Sequence, residues 1–363
     1  MIVHADNFSI YGSNIGLLTQ GVYASANRCS LADDPDGLSP GKVLFPAITG
    51  GNAPRSTWRF VHPGGSQPIV GTAFRIWMPN LPNADGLIAF VQLRDASNTL
   101  IMTLEPNADG SIEIYSYNDN SSGYLFRKRT PIPAFTAKGW YHFEMKYEIT
   151  GAGLARVEVR IEGITVIEEE DVPVRGVQPA MFSGGFYDNT AFVDFYLKDL
   201  VIWDGQGTRN NDFLGSVLVT NLKVDSDVSL NWTPSTGTDG YTILDNTPPN
   251  DAQYLSAPYS VEAPNFPEAY EGTLSSLPIE TTSVKGVITY VRAAKSDGGD
   301  GSLQVSLVSN PEEGAPVEVD GADRPITVAQ TYWRDIFEVD PATSSAWTPA
   351  SVNDANIKIN RTT

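Results

Sequence analysis

Two segments decide the fold class of this chain: His142-Phe143-Glu144-Met145-Lys146-Tyr147-Glu148-Ile149 and Ala155-Arg156-Val157-Glu158-Val159-Arg160-Ile161-Glu162. Between them lies Thr150-Gly151-Ala152-Gly153-Leu154, a loop with two glycines. Phe143, Met145, Tyr147 and Ile149 alternate with charged or polar residues in the first segment, and Ala155, Val157, Val159 and Ile161 do so in the second. A period of two is the signature of a half-buried strand. Setting Glu148 opposite Arg156, Lys146 opposite Glu158 and Glu144 opposite Arg160 places every apolar residue against another apolar one. Opposed charges across strands contribute ~0.2–1 kcal/mol per pair, and a slip of one residue would turn the apolar face to water. The pair predicts an antiparallel hairpin with one buried face and one solvated, charged face.

Outward from this hairpin the same period dominates. Further strands are predicted at Phe74–Met78, Leu87–Leu93, Leu100–Leu104, Ser111–Tyr117 and Ala191–Trp203. They are short and separated by turn clusters, as in a β-sandwich. The turn Pro-Asn-Ala-Asp-Gly occurs at 82–86 and again at 106–110, each with an Asp-Gly suited to tight hairpins. The polar, glycine-rich run Trp203–Asp212 reads as a connector. Beyond it, Val217–Val224, Val284–Ala293, Leu303–Val308 and Tyr332–Val339 read as strands, and 245–283 as long proline-rich surface loops. Asp340-Pro341 and Thr348-Pro349 each place a capping side chain before proline, which predicts two short helices, with Ile357–Ile359 closing a sheet after them. The expected fold is all-β: two β-sandwich (jelly-roll) domains, 1–210 and 211–363, with at most short helices near the C-terminus.

Composition narrows the function classes. The chain has 363 residues, 43 acidic against 24 basic, a net charge of −19 and one cysteine. Such acidity opposes nucleic-acid binding, because backbone phosphates attract basic surfaces. One cysteine excludes an internal disulfide framework, and Cys29 reads as a buried, inert thiol. No stretch reaches the ~18 apolar residues of a membrane helix, and Met1–Asn7 lacks the basic and apolar regions of a signal peptide. The expectation is a protein without membrane insertion that leaves a cell by some route other than secretion.

Gly139-Trp140-Tyr141-His142-Phe143-Glu144, with the hairpin and Glu162-Gly163 after it, is similar to the laminin-G and concanavalin A-like jelly rolls over residues 6–204. A second string is more specific: Leu200-Val201-Ile202-Trp203-Asp204, Gly207, Asn211-Asp212-Phe213-Leu214-Gly215, Asn231-Trp232-Thr233-Pro234-Ser235, Tyr241, Leu244-Asp245, Pro248-Pro249-Asn250-Asp251, Asp340-Pro341-Ala342, Ala346-Trp347-Thr348 and Val352-Asn353. This order resembles tailed-bacteriophage structural proteins that carry a concanavalin A-like domain and a second β domain. The resemblance implies a virion component assembled in the host bacterial cytoplasm and exposed on the particle: a capsid decoration or cement protein, a spike or a tail component. Its partners would then be other virion proteins and further copies of itself, a trimer if it projects as a spike. The alternative is a glycan-binding host-attachment module, as in a tail fibre, with host surface polysaccharide as partner.

A third reading is a polysaccharide-degrading glycosidase. Jelly-roll glycosidases of the laminarinase type use a Glu-x-Asp-x-Glu strand, and retention of configuration needs two carboxyls ~5–5.5 Å apart. The nearest match, Glu144-Met145-Lys146-Tyr147-Glu148, has lysine at its centre, so a non-enzymatic protein is expected. Tyr115, Tyr117 and Tyr124 flank the polar tip beginning at Asn118, a combination that suits sugars or simply caps a sheet edge. Asp33, Asp34 and Asp36, and Asp297 and Asp300, sit in short flexible acidic loops that read either as solvated turns or as calcium sites; neither has EF-hand spacing, and no other cofactor is expected. Glu168-Glu169-Glu170-Asp171 reads as a solvated edge, His142 as a neighbour of Glu162, and Trp140, Trp203, Trp232 and Trp347 as packing anchors.

Overall fold

The computed structural model describes residues 1–37, 42–46, 57–83, 88–117, 124–131, 133–186, 194–257, 269–296, 298–310 and 315–362. Among them strands predominate, and the chain is all-β. It divides into two compact units, Met1–Val219 and Thr220–Thr363.

The first unit is a sandwich of two antiparallel sheets. One contains β1 (Ile2–Asp6), β3 (Cys29–Asp33), β4 (Lys42–Pro46), β6 (Ile69–Trp77), β11 (Trp140–Gly151), β12 (Leu154–Ile161), β13 (Ile164–Pro173) and β15 (Tyr196–Asp204). Its order is β13-β12-β11-β6-β15-β4-β3, with β1 also paired to β15. The other contains β2 (Ser25–Asn27), β5 (Thr57–Val61), β7 (Ile88–Arg94), β8 (Leu100–Pro106), β9 (Ile112–Tyr117), β10 (Tyr124–Arg129) and β14 (Met181–Phe186), in the order β10-β9-β8-β7-β14-β5-β2. Between the sheets, Phe74 and Phe143 stack and Phe90 meets both edge-on.

The hairpin forms in the expected register: Glu144 faces Arg160, Lys146 faces Glu158 and Glu148 faces Arg156. Its second face is not simply solvated, however. The chain returns over it after β15, and His142 and Glu144 are buried there. The Glu144 carboxylate accepts the backbone N–H groups of Leu214 and Gly215 at 2.8 and 3.0 Å. The expected cross-strand ion pairs give way accordingly. Lys146 reaches Asp212, Arg160 reaches Glu158 and lies over the Phe213 ring, and Arg156 reaches Glu168 and Glu170. Asp199 accepts the N–H of Val219, so residues 211–219 belong to the first unit. This overturns the strand expected at Val217–Val224, where the first strand of the second unit is Val224–Leu230. The backbone groups of the segment serve carboxylates of the sheet instead of a ladder.

In the second unit the main sheet runs Val224–Leu230, Tyr270–Leu274, Asn356–Arg361, Ser302–Ser309, Val317–Asp320, with Arg324–Pro325 also on Ser302–Ser309. A ribbon of Val287–Ala293 and Thr331–Phe337 contributes Val287, Val291 and Phe337 to cores holding Leu307, Trp347, Leu303, Trp232 and Ile359. Tyr270–Leu274 lies within the stretch expected to be loop; its buried Tyr270 anchors it. Thr348 caps the helix Pro349–Asn353 with a full capping box, as expected. Asp340-Pro341 starts no helix: Asp340 bridges to Ser345 and its carboxylate accepts the N–H of Ala342, closing a turn. A short helix at Tyr241–Leu244 and two 3-10 turns at Ser9–Tyr11 and Ile15–Thr19 add helical residues far from the C-terminus.

At one position side-chain absence is a packing requirement. Gly71 lies under the buried Trp203 indole, and a Cβ there would stand 2.0 Å from two ring carbons. Gly71→Ala is therefore expected to lose about 2 kcal/mol in urea denaturation, the cost of overpacking a site with no slack.

Candidate functional site

Alternation along β8 and β9 sorts the second sheet into two faces. Ser116 points at the first sheet, its hydroxyl reaching the Pro173 carbonyl at 2.6 Å. Its neighbours in the pleat, Ile112, Ile114, Met102 and Leu104, fill the interior. Thr103, Glu105, Glu113, Tyr115 and Tyr117 therefore look away from the core. On β5, Trp58 and Phe60 are buried and Arg59 between them points outward.

Pairing then assembles a continuous polar row. Ser25 pairs with Arg59, Arg59 with Ser183, Ser183 with Gln92, Gln92 with Thr103, Thr103 with Tyr115, and Tyr115 with Arg127. Every strand of the sheet contributes one residue, β2, β5, β14, β7, β8, β9 and β10 in turn. Six strand spacings of ~4.8 Å make the row about 29 Å long. Ser25 and Arg59 are half-buried and Arg127 is exposed, whereas Ser183, Gln92, Thr103 and Tyr115 are buried.

The centre is held by its own contacts. Gln92 Oε1 accepts from the Ser183 hydroxyl at 3.0 Å and from Arg94 Nε and Nη2 at 3.1 and 2.8 Å. The Thr103 and Tyr117 hydroxyls lie 3.4 Å apart. Tyr115 donates its hydroxyl to Glu113, which also accepts from Arg127, and the Arg127 guanidinium sits 5.3 Å from the Tyr115 ring centroid. Burial and the adjacent Glu113 raise the Tyr115 phenol well above its ordinary range. Glu105, directly opposite Glu113, is raised from 4.5 to about 7; burial is the main cause, and the Glu113 charge adds to it against a Thr103 hydrogen bond. At neutral pH this face thus presents hydroxyls, an amide, guanidinium groups and a partly protonated carboxyl.

The residues singled out from sequence fall in different places. Tyr115 and Tyr117 stand on this face, but Tyr115 is a buried participant, its ring beneath Arg127, and not an open stacking platform. Tyr124 pairs with Tyr117 through its backbone, while its side chain and Asn118 lie outside the described residues. Asp33 is bound by Lys42. Buried Asp34 accepts from Lys198 at 2.6 Å and from the Trp140 indole at 3.3 Å. Asp36 donates its backbone N–H to Asp34. A lysine thus sits on each of the two leading carboxylates of that loop. Asp300 is exposed, and Asp297 lies outside the described residues. Among the described residues no group of three or more His, Cys, Asp or Glu side chains is placed to hold a metal ion. Glu162 accepts from the backbone N–H of His142, not from its ring. Cys29 is buried.

Sequence reasoning passed over Arg59, Gln92, Thr103, Arg127, Ser183 and Glu105. The available signal was polar residues inside otherwise apolar runs: Gln92 within Ile88–Leu93 and Thr103 within Leu100–Leu104.

No family model matches the chain, and no curated protein sequence does. Among solved structures it is similar to an endo-β-1,4-glucuronan lyase from the fungus Trichoderma reesei, with 11% identity, a TM-score of 0.40, and coverage of 56% of this chain and 95% of that one. It is also similar to alginate lyase Aly36B, at 13% identity and a TM-score of 0.36, covering 55% and 95%. A third similarity is to a carbohydrate esterase from the Shiga toxin-encoding bacteriophage phi24B, at 13% identity and a TM-score of 0.39, covering 56% and 97%.

The Glu105 environment has a direct consequence. A carboxyl whose folded pKa is raised stabilises the fold while protonated, and that contribution is lost as pH rises from 4.5 to about 7. Glu105→Gln is expected to gain on wild type across that window, by up to about 3 kcal/mol above pH 7 and little at pH 4.5, in urea denaturation at the two pH values.

Proposed function

We propose that the first unit binds an extended glycan across the outward face of its seven-stranded sheet. One observation carries the reading: a row of polar side chains that runs unbroken over all seven strands, on the face a sandwich does not need for its core. A polysaccharide offers hydroxyls at regular intervals; Ser25, Arg59 and Arg127, the members of the row that reach the surface, can donate to them, and the Ser25 hydroxyl can also accept, while the buried members hold the row together. The proposal is for binding without cleavage. Glu144, the first carboxylate of the nearest glycosidase-like triplet, is committed to two backbone amides.

We further propose that the glycan-binding face is displayed on a tailed-phage particle, with other virion proteins and copies of this chain as its neighbours. The support is the ordered string from Leu200 to Asn353 described above. Immunogold labelling of particles would place the protein; labelling absent from purified particles would end this part of the proposal.

The binding reading is tested with the full chain by affinity electrophoresis in gels containing neutral or acidic polysaccharides. Retardation by at least one polymer is expected. Ser25→Ala removes one hydroxyl from a half-buried member of the row, and is expected to weaken binding about fivefold, the worth of one hydrogen bond of ~1 kcal/mol. Migration unaffected by every polymer, or by the Ser25→Ala change, would refute the assignment of this face.

A further inference from the structure

Arg59 stands apart from the other arginines of its sheet. Arg94 donates to Gln92 and to the Asn98 carbonyl, Arg127 to Glu113, and Arg129 to Asp109 and Ser111. The Arg59 guanidinium, by contrast, has no hydrogen bond or ion pair among the described residues, and its Nε is a buried donor without an acceptor. Trp58 and Phe60 anchor the strand in the core on either side of it, so Arg59 cannot turn inward to find one. A buried N–H left unmade is costly. In a chain with 43 acidic residues against 24 basic, an acidic neighbour would have been the easy remedy.

We propose that Arg59 receives the carboxylate of an acidic sugar, making the ligand a polyuronate; this rests on the glycan-binding reading. The guanidinium is planar and presents a rigid fork of N–H donors that matches a carboxylate through two parallel hydrogen bonds. Ser25, its partner on one flanking strand, puts a half-buried hydroxyl beside it for the rest of the sugar ring. The acids of the same face do not oppose an anion here. Glu113 lies four strands away along the row, roughly 19 Å, and is engaged by Arg127. Glu105 lies three strands away, roughly 14 Å, also beyond the screening length of ~8 Å at physiological salt.

The test uses the full chain, wild type and Arg59→Gln, in calorimetric titrations against three polymers: a polyuronate, the same polymer with its carboxyls reduced to alcohols, and a sulfated neutral polysaccharide. Wild type is expected to bind the polyuronate at least tenfold more tightly than the reduced polymer. Arg59→Gln should lose that preference, its affinity for the polyuronate falling to its own affinity for the reduced polymer. Because the guanidinium makes no bond among the described residues, the variant should keep the thermal midpoint of wild type. Arg59→Lys, which keeps the charge but not the fork, should fall between the two.

Equal affinity of wild type for the polyuronate and the reduced polymer would overturn the inference and leave glycan binding standing. So would an Arg59→Gln variant that keeps the preference. Preference for the sulfated polymer would overturn the carboxylate assignment. Binding to none of the three would overturn this inference and the glycan-binding reading together.

Discussion

The buried carboxylate of Glu144 organises the whole outer side of the first sheet. A carboxylate taken from water needs donors, and here two consecutive backbone N–H groups supply them. Once Leu214 and Gly215 are held, the rest of the crossing segment is fixed by contacts within reach. Phe213 meets Trp203 edge-on and lies under Arg160, Asp212 pairs with Lys146, Ser216 accepts from Arg75, and Val219 donates to Asp199. The segment in turn makes a second interior layer. His142 is buried in it, and its imidazole is lowered to about 4 by burial and by the Arg75 charge, against a smaller opposing effect of Glu162. A depressed histidine stabilises the fold above its unfolded pKa of 6.5, and that contribution is lost as pH falls toward 4.

The two sheets therefore treat their outer faces in opposite ways. Both carry polar side chains where a sandwich would tolerate water. On the first sheet the crossing segment covers His142 and Glu144, and Glu144 is taken up by that segment's backbone. On the second sheet they satisfy one another along the row, as Arg94 does with Gln92 and Arg127 with Glu113, until the row reaches Arg59. Pleating forces this residue outward, and among the described residues no acceptor meets it. The two outer faces thus differ in that one donor.

How much of this was legible in the sequence follows from the range of the interactions involved. The hairpin register was readable because its partners are near neighbours and carry both hydrophobic and charge alternation. The capping box at Thr348 was readable for the same reason. Asp340-Pro341 carries the same local signal, but its carboxylate closes a turn toward Ala342 and Ser345 instead. The end of the crossing segment falls within the strand expected at Val217–Val224, where Val217, Leu218 and Val219 are apolar, whereas the segment's backbone answers to Glu144 and Asp199, tens of residues earlier. The polar row is the least legible. Its seven members are scattered from Ser25 to Ser183 and meet only through the strand order β10-β9-β8-β7-β14-β5-β2, which no local pattern encodes. Tyr115 was noticed because a polar loop follows it; Arg59 sits in Thr57–Val61, where nothing marks it out.

Net charge sharpens the argument about the ligand. A chain at −19 repels a polyanion at long range, so an acidic polysaccharide gains nothing from the field of the whole molecule. At physiological salt that repulsion decays over ~8 Å, and what remains is local. Most arginines and lysines on the described surface are already matched to carboxylates, as Lys42 is to Asp33, Arg129 to Asp109 and Lys198 to Asp34. A polyanion sliding over such a surface meets neutralised pairs. Arg59, without a bonded partner among the described residues, is a point where such a charge would be answered without breaking an existing bond.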